Sequence, residues 1–356
     1  MEGCKNRVSD VQESMPGGTY YNELMASIAV QVTGGHTGPV RPLNILRDLP
    51  QVADLIELCF ETTMDDDGQS YVQQMRKAST DRDFLAWANK LMESTSMPLA
   101  GYVWEEDGRI VGNASLVFQA HRGRKLGMIA NVATHPSCRR RGIGRALTER
   151  ALLGARQKGI REIWLQVRHD NPTAIGIYNG LGFAERARRT TYYSRSALGA
   201  AAGPAEPGRD STGPLSIAHR SSNRAWTRQR EWLEHAHPEE LAWYAHWDWD
   251  RLAPGLANTL YRFLVQFDVR QWVATAECGL LAAATWVPTY RVLNALWLAA
   301  GPDSGTAATR VLEQARSELA QYRKVSVEYP AGELQAEIEA AGFEQFRTLL
   351  WMRATL

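Results

Sequence analysis

The sequence predicts an α/β protein in which a mixed sheet flanked by helices is built twice along one chain. Three observations carry this. Strand-like and helix-like patterns alternate through residues 41–197. The stretch "SALGAAAGPAEPGRDSTGP" (196–214) holds almost nothing that can be buried, so 198–214 read as a linker. The order of patterns then repeats more faintly over 215–356, from a hairpin onward, as an internal duplication would leave it. A chain of 356 residues is comfortable for two domains of roughly 150–170.

Residues 1–40 show no sustained period and are broken twice, by "MPGG" and "TGGHTGP", so they read as an N-terminal extension. "LNIL" (43–46) predicts a short strand, and "DLPQVADLIELCF" a helix with Leu55, Ile56, Cys59 and Phe60 inward. "GYVWEEDGRIVGNASLVFQ" predicts a hairpin turning at Glu106-Asp107-Gly108. "GMIANVAT" predicts a buried strand ended by His135-Pro136. The helix that follows stops near Lys158-Gly159, and "EIWLQV" is the next strand. In "DNPTAIGIYNGLGF", Asn171 is placed to cap a helix, Pro172 to take its first position and Gly182 to end it. "TTYYS" closes the first half as a strand. In the second half, "LSIAHR" is strand-like, "VRQWVATAECGLLAAATWV" a hairpin and "VLNALWLAA" a buried strand. "GTAATRVLEQARSELAQYR" is then a helix, "VSVEY" a strand, "GELQAEIEAAGF" a helix and "RTLLWM" the last strand.

Composition narrows the classes. A net charge of +1 gives no electrostatic case for a nucleic-acid or membrane partner. No apolar run approaches the length of a membrane span, and residues 1–30 lack the apolar core of a signal peptide. Cys4, Cys59, Cys138 and Cys278 lie far apart with no metal spacing, which suits a reducing, cytoplasmic compartment and no metal site.

The chemistry concentrates in "SCRRRGIGRAL" (137–147), where three arginines precede a Gly-x-Gly that opens a helix. A helix N-terminus offers unpaired N–H groups and partial positive charge. Gly142 and Gly144 let a ligand approach that backbone, and Arg139, Arg140, Arg141 and Arg145 add full charges. The arrangement suits a phosphate or pyrophosphate, and equally a solvated basic turn.

The string Arg139-x-x-Gly142-x-Gly144 after a strand ending in His-Pro, followed about 30 residues on by Asn171, Tyr178 and Gly182-Phe183, resembles the GNAT superfamily of acyl-CoA-dependent N-acyltransferases. The resemblance covers roughly 42–195 well and 215–356 only in outline. It implies two tandem GNAT-like domains, each a mostly antiparallel sheet with a splayed strand pair. The first (41–197) is then catalytic and CoA-binding, and the second (215–356) degenerate. It further implies that the backbone of Val132, Ala133 and Thr134, left unpaired by the splay, receives pantetheine and supplies an oxyanion donor. The loop and helix start (Arg139, Arg140, Arg141, Gly142, Ile143, Gly144, Arg145) would hold the pyrophosphate of acetyl-CoA. Asn171 would bond the pantetheine arm, and Tyr178 would protonate the departing thiolate. Without the resemblance, Asn171 is a helix cap and Tyr178 a packing residue.

A base for the attacking amine is weakly signalled: Glu61, Glu105 and Glu106 are candidates, while His135 reads as structural and Cys138 as incidental. In "MDDDGQSY", Asp65, Asp66 and Asp67 fall where the family builds part of its acceptor cleft and suit an ammonium-bearing small molecule or peptide terminus, or else form a solvated acidic loop. In the second half, matching Phe343 to Phe183 puts Ile338 where Tyr178 stands and Ala331 where Asn171 stands. Its loop "AAGPDSGTAA" has no arginine and carries Asp303, which would repel phosphate. His235, His237 and His246 match no common zinc spacing, and the nine tryptophans after residue 214 imply a large surface to bury. The sequence thus points to an N-acetyltransferase, monomeric or homodimeric, moving an acetyl group directly from acetyl-CoA to a small-molecule amine. The alternatives are a non-catalytic acyl-CoA-binding sensor or scaffold, and a transferase of another acyl group.

Overall fold

The computed structural model describes residues 39–81, 100–194, 215–219, 221–245, 248–264, 269–277, 279–287, 294–302, 304–322 and 324–356. Nearly all of the expected extension, the linker at 198–214, and Cys4, His246, Cys278 and Asp303 lie outside the described residues. Two compact units divide the chain. One takes residues up to Thr63, Tyr71–Trp164 and Thr355–Leu356; the other takes Met64–Ser70 and Leu165–Ala354.

In the first unit the strands β1 (Val40–Pro42), β2 (Ala100–Glu106), β3 (Arg109–His121) and β4 (Arg124–Thr134) follow one another in the sheet, all antiparallel. The β2–β3 turn falls where expected, with Asp107 and Gly108 both at positive φ (50° and 76°), as a tight hairpin turn requires. A second hairpin joins β3 to β4 through Arg122 and Gly123, again both at positive φ (48° and 75°).

Helix α1 (Ile45–Phe60) starts earlier than the sequence pattern suggests, and the strand expected over Leu43–Leu46 is absent; the strand sits at Val40–Pro42 instead. The reason is local. The Asn44 side chain accepts the Leu46 N–H (3.1 Å), and the Asp48 carboxylate accepts the Asn44 N–H (2.8 Å), so the first helical turn closes over these residues. Asp48 is fully buried and held by two bonds from Arg41 (2.5 and 2.8 Å). Those bonds depress its pKa in spite of the burial that would raise it.

Helix α2 (Asp66–Thr80) buries Val72, Met75 and Ala78 at helical spacing. Helix α3 (Ile143–Gln157) buries Ile143, Leu147, Thr148, Ala151, Gly154 and Ala155, a single stripe at i, i+4, i+8 and i+12. That stripe packs closely on the sheet. A Cβ on Gly112 of β3 would stand 2.7 Å from Ile143, and one on Gly154 would collide with the Tyr102 hydroxyl. Gly159 (φ 74°) ends the helix as expected.

The division between the units falls inside β5 (Glu162–Arg168). In the second unit, helix α4 (Pro172–Asn179) is followed by the 11-residue strand β6 (Ala184–Ser194). Then come β7 (Ser216–Ala218), α5 (Asn223–Ala236), α6 (Ala242–Ala245), α7 (Trp249–Leu252) and α8 (Leu256–Leu264). The unit finishes with β8 (Arg270–Ala276), β9 (Gly279–Trp286), β10 (Asn294–Ala300), α9 (Thr306–Glu318), β11 (Val325–Pro330), α10 (Gln335–Ala340) and β12 (Phe343–Thr355).

Its sheet runs β12-β6-β11-β10-β9-β8-β7. Strand β6, from the first half of the sequence, lies antiparallel between the last two strands of the second half, with Tyr192 opposite both Val327 and Gln345. Strands β10 and β11 form a parallel pair joined at Asn294–Leu296 and Val325–Val327, although they run on to Ala300 and Pro330. This is a strand pair that parts towards one end. Trp272, Trp286, Leu298, Val311, Leu312, Val327 and Ile338 form the core around it, each at most 1% exposed.

Candidate active site

Strand β4 carries a bulge near its end. Asn113 of β3 stands opposite Ala133 and Ser115 opposite Ala130, so Asn131 and Val132 together face Ala114. Asn131 takes up the irregularity with φ +51°, a conformation that asparagine tolerates better than most residues. Two side chains brace it. Asn113, fully buried, donates from Nδ2 to the Asn131 carbonyl (2.8 Å) and to Ser115 Oγ (3.1 Å). Asn131 in turn donates from Nδ2 to the Tyr71 hydroxyl on α2 (3.1 Å).

Beyond the bulge, Ala133 and Thr134 are in register with Asn113 and Gly112. The expectation of a free Thr134 carbonyl is corrected: it accepts from Cys59 Sγ (3.3 Å) and Arg139 Nε (3.4 Å), which reach it from α1 and from the turn after the strand. Burial pushes the Cys59 thiol pKa up, so it is a poor nucleophile.

The chain leaves β4 through a 3-10 turn (Pro136–Cys138), where the His135 ring nitrogen Nδ1 contacts Ser137 Oγ at 2.7 Å, a structural part as expected. Arg140 (φ 61°) and Gly142 (φ 79°, ψ 0°) then turn the backbone into α3. Gly142 is the N-cap and provides no side-chain cap; Ala146 N–H, bonded to the Gly142 carbonyl (3.0 Å), begins the helical ladder. The N–H groups of Ile143, Gly144 and Arg145 therefore stand at an open helix N-terminus.

The two glycines differ in a telling way from Gly112 and Gly154. A Cβ on Gly142 would meet nothing within 4 Å, and one on Gly144 only Thr134 Oγ1 at 3.7 Å. Positive φ explains Gly142, but nothing among the described residues explains Gly144, whose place in a helix is unfavourable by roughly 1 kcal/mol relative to alanine.

The arginines are not equivalent. Arg141 is bidentate on Glu106 (3.0 and 2.7 Å), Arg145 pairs with Glu149 (2.9 Å), and Arg139 touches Thr134. Arg140, exposed, makes no side-chain hydrogen bond or ion pair among the described residues. These contacts also dispose of two base candidates. Glu106 is held by Arg141 and Trp104, and Glu105 by Arg41 and Arg47, and both carboxyls are pushed further below their ordinary pKa. A carboxylate so stabilised is a weak proton acceptor.

In the second unit, Asn171 caps α4 as expected, its Oδ1 accepting Ala174 N–H (3.1 Å), and Pro172 takes the first helical position. Tyr178 lies on the buried side of α4, 7% exposed, with Phe183 edge-on at 5.9 Å. Its hydroxyl has no hydrogen-bond partner among the described residues, and burial pushes its pKa up to about 12. It is thus a neutral phenol with a proton to give.

Asp65 and Asp66 are already neutralised. Asp65 accepts from Arg347 (2.9 Å) and the Tyr193 hydroxyl (3.1 Å), with Oδ1 capping Gly68 N–H, and Asp66 pairs with Lys324 (3.0 Å). The acidic loop is therefore an internally paired cluster rather than three open carboxylates; Asp67, beside them, also has an interaction partner.

Among the described residues of the second sequence half, the matched positions carry different groups. Ile338 is fully buried in the core. Helix α10 has only six residues, and its N-cap is Leu334, in the left-handed region without a side-chain cap. Leu334 stands four residues before Ile338, whereas Asn171 stands seven before Tyr178, so the match of Ala331 to Asn171 does not hold. Before α9, Ala307 N–H is taken by the Ser304 carbonyl (2.8 Å), Ser304 is buried, and the Trp232 ring lies where a Cβ on Gly301 would be. His237 is buried between Trp249 and Trp297 and accepts at Nδ1 from Arg189 (2.8 Å); burial first, and the Arg189 charge second, hold it neutral.

An unfilled helix N-terminus behind a bulged strand, and a neutral phenol on a capped helix, are parts suited to an acyltransferase. A family model described as the acetyltransferase (GNAT) family matches residues 54–183. The chain is 31% identical over 124 residues to ribosomal protein bS18-alanine N-acetyltransferase of Escherichia coli strain K12, covering 29% of this chain and 84% of that one. Mycothiol acetyltransferase of Saccharomonospora viridis is 37% identical over 82 residues, 22% of this chain and 27% of that one. The solved GCN5-related N-acetyltransferase from Sphaerobacter thermophilus aligns over 89% of this chain and 95% of its own, with a TM-score of 0.50 at 13% identity, a likeness of fold. The chain belongs to the acetyltransferase (GNAT) family, and it is an N-acetyltransferase. No described helix is long and apolar enough to cross a membrane.

Proposed function

We propose that the protein transfers the acetyl group of acetyl-CoA directly to the amine of a small molecule, using a single CoA site in the first half of the sequence. The observation that carries this reading is the helix start at Gly142–Arg145. Among the described residues nothing accounts for the missing side chain of Gly144 or pairs with the Arg140 side chain, and open N–H groups stand beside them. A pyrophosphate supplies the reason, since its oxygens must come within hydrogen-bonding distance of this backbone. Arg139, Arg140 and Arg145 add charge, and Arg141 joins them when it releases Glu106. That exposed ion pair is weak and easily exchanged.

In this reading the backbone of Val132 and Ala133 receives pantetheine and polarises the thioester carbonyl, while Thr134 contributes through its side chain, its carbonyl being occupied. Asn171 bonds the pantetheine arm in addition to capping α4. The amine attacks the carbonyl carbon, the carbon–sulfur bond breaks, Tyr178 gives its proton to the thiolate that leaves, and the proton lost by the nitrogen passes to water, from which Tyr178 is reprotonated. A phenol without a competing acceptor, kept protonated by burial, suits that role. The second half binds no CoA and supports the fold.

The test is a screen of amine pools with acetyl-CoA, read by mass spectrometry for acetylated products. Acetylation of small amines supports the proposal. Acetylation confined to protein N-termini refutes the acceptor class, and exclusive use of a longer acyl-CoA refutes the donor.

A further inference from the structure

Asn113 is an amide in a fully buried position of β3. Both of its Nδ2 hydrogens are engaged, one by the Asn131 carbonyl (2.8 Å) and one by Ser115 Oγ (3.1 Å). Its Oδ1 has no partner among the described residues. Burying an amide with its acceptor unpaired costs free energy that a valine or leucine would not incur, so packing does not account for the residue.

What its donor accomplishes follows from the geometry of a trans peptide. In the peptide plane between Asn131 and Val132, the carbonyl and the N–H point in opposite directions. With the carbonyl drawn to Asn113, the Val132 N–H is directed away from it. This peptide needs holding. It follows Asn131, whose φ of +51° lies in the left-handed region, and the bulge sets Asn131 and Val132 together against Ala114, so the regular ladder does not fix both. A second tether, from Asn131 Nδ2 to the Tyr71 hydroxyl (3.1 Å), anchors the same residue to α2.

We propose that Asn113 is a positioning residue for the reaction: by holding the Asn131 carbonyl, it aims the Val132 N–H at the oxygen of the thioester carbonyl. This rests on the proposed function, in which the backbone of Val132 and Ala133 polarises that carbonyl. An oxyanion donor is effective when its direction is set before the charge develops, so that nothing has to turn during the reaction. Without Asn113 the Asn131 carbonyl loses its partner. The peptide is then free to turn, and the Val132 N–H turns with it.

The experiment is infrared difference spectroscopy of acetyl-CoA isotope-labelled at the thioester carbonyl carbon. The ligand is bound to the full-length wild type and to Asn113→Leu, which keeps the branching of the side chain and deletes the donor. Both proteins are also titrated by calorimetry with acetyl-CoA and with CoA, which lacks that carbonyl. In the wild type the carbonyl stretch of bound acetyl-CoA should lie below its free position, as a hydrogen bond requires. In Asn113→Leu it should return towards the free position. The variant should bind acetyl-CoA up to about tenfold more weakly, the worth of one hydrogen bond, and CoA within about twofold of the wild type. A merely structural role would weaken both ligands alike and would not single out the carbonyl. Should Asn113→Leu fail to fold, Asn113→Val takes its place with the same expectation, since it is smaller, suits a strand and also lacks the donor.

A carbonyl band in the variant equal to that in the wild type, or an equal loss of affinity for acetyl-CoA and CoA, overturns the inference and leaves the CoA site standing. A wild type that binds acetyl-CoA with its carbonyl band at the free position overturns the inference together with the oxyanion role of the strand. A wild type that binds no acetyl-CoA overturns the proposed function, and the inference with it.

Discussion

Replacing Gly144 by alanine should make the protein more stable and a poorer binder of CoA, an opposition that a purely structural loop cannot produce. The new Cβ stands 3.7 Å from Thr134 Oγ1 and near nothing else, so it introduces no clash. Removing a glycine from a helix gains up to roughly 1 kcal/mol, and about half of that is a fair share in the first turn. For a domain of this size such a gain raises Tm by about 1–3 °C. The methyl group, however, occupies the space through which a phosphate oxygen must reach the helix N-terminus. One lost hydrogen bond to a charged group is worth about 1.5–3 kcal/mol, which weakens acetyl-CoA binding by roughly 10- to 150-fold. Thermal melts without ligand and calorimetric titration with acetyl-CoA read the two quantities on the same preparation. A higher Tm with wild-type affinity would show that Gly144 serves no ligand and would remove the main support for the CoA site.

Tyr178→Phe keeps the ring against Phe183 and deletes the proton donor, so kcat should fall by about 10²–10⁴ while the CoA dissociation constant moves no more than a single hydrogen bond allows. A variant that retains more than about a third of wild-type turnover, with chemistry rate-limiting, would show that another group supplies the proton. Asn171→Ala removes the cap on Ala174 N–H and should cost about 1 kcal/mol in urea unfolding, together with a several-fold rise in KM for acetyl-CoA. A loss of stability with unchanged KM would leave the residue as a cap only. Burial and Arg189 hold His237 neutral, so the unfolded chain binds the proton that the folded one refuses. The stability this residue permits is thus fully present above about pH 6.5 and declines as the pH falls below it. Urea unfolding between pH 7 and pH 5 should show that decline, and His237→Phe should flatten it; an equal slope in both proteins would refute the assignment.

The elements legible in the sequence were those written in local chemistry. Asn171, Pro172 and Gly182 bracket α4 because cap, first-turn proline and left-handed terminus each require a particular residue type. The Asp107-Gly108 turn and the glycine-opened α3 were legible for the same reason. What escaped depends on partners distant in sequence. The run Leu43–Leu46 looks like a strand until Arg41, itself held by Glu105, pairs with Asp48 and commits the segment to a helix cap.

The three aspartates after Met64 look like an open acidic loop because Lys324 and Arg347 lie more than 250 residues away in the chain. Glu105 and Glu106 look like candidate bases until their arginines are seen. The contact between Tyr71 and the β4 bulge was not legible either. The one available signal was Asn131, a polar residue inside the apolar run "GMIANVAT", which a regular buried strand would not need.

In the proposed function one half of the chain holds CoA at the Gly142–Arg145 helix start and the other half holds none. Calorimetric titration of acetyl-CoA into the full-length protein, repeated on Gly142→Asp, tests it most directly. The wild type should bind about one acetyl-CoA per chain. The variant should show no measurable binding, because a carboxylate faces the phosphate at close range. About two sites per chain, or undiminished binding by Gly142→Asp, would contradict it.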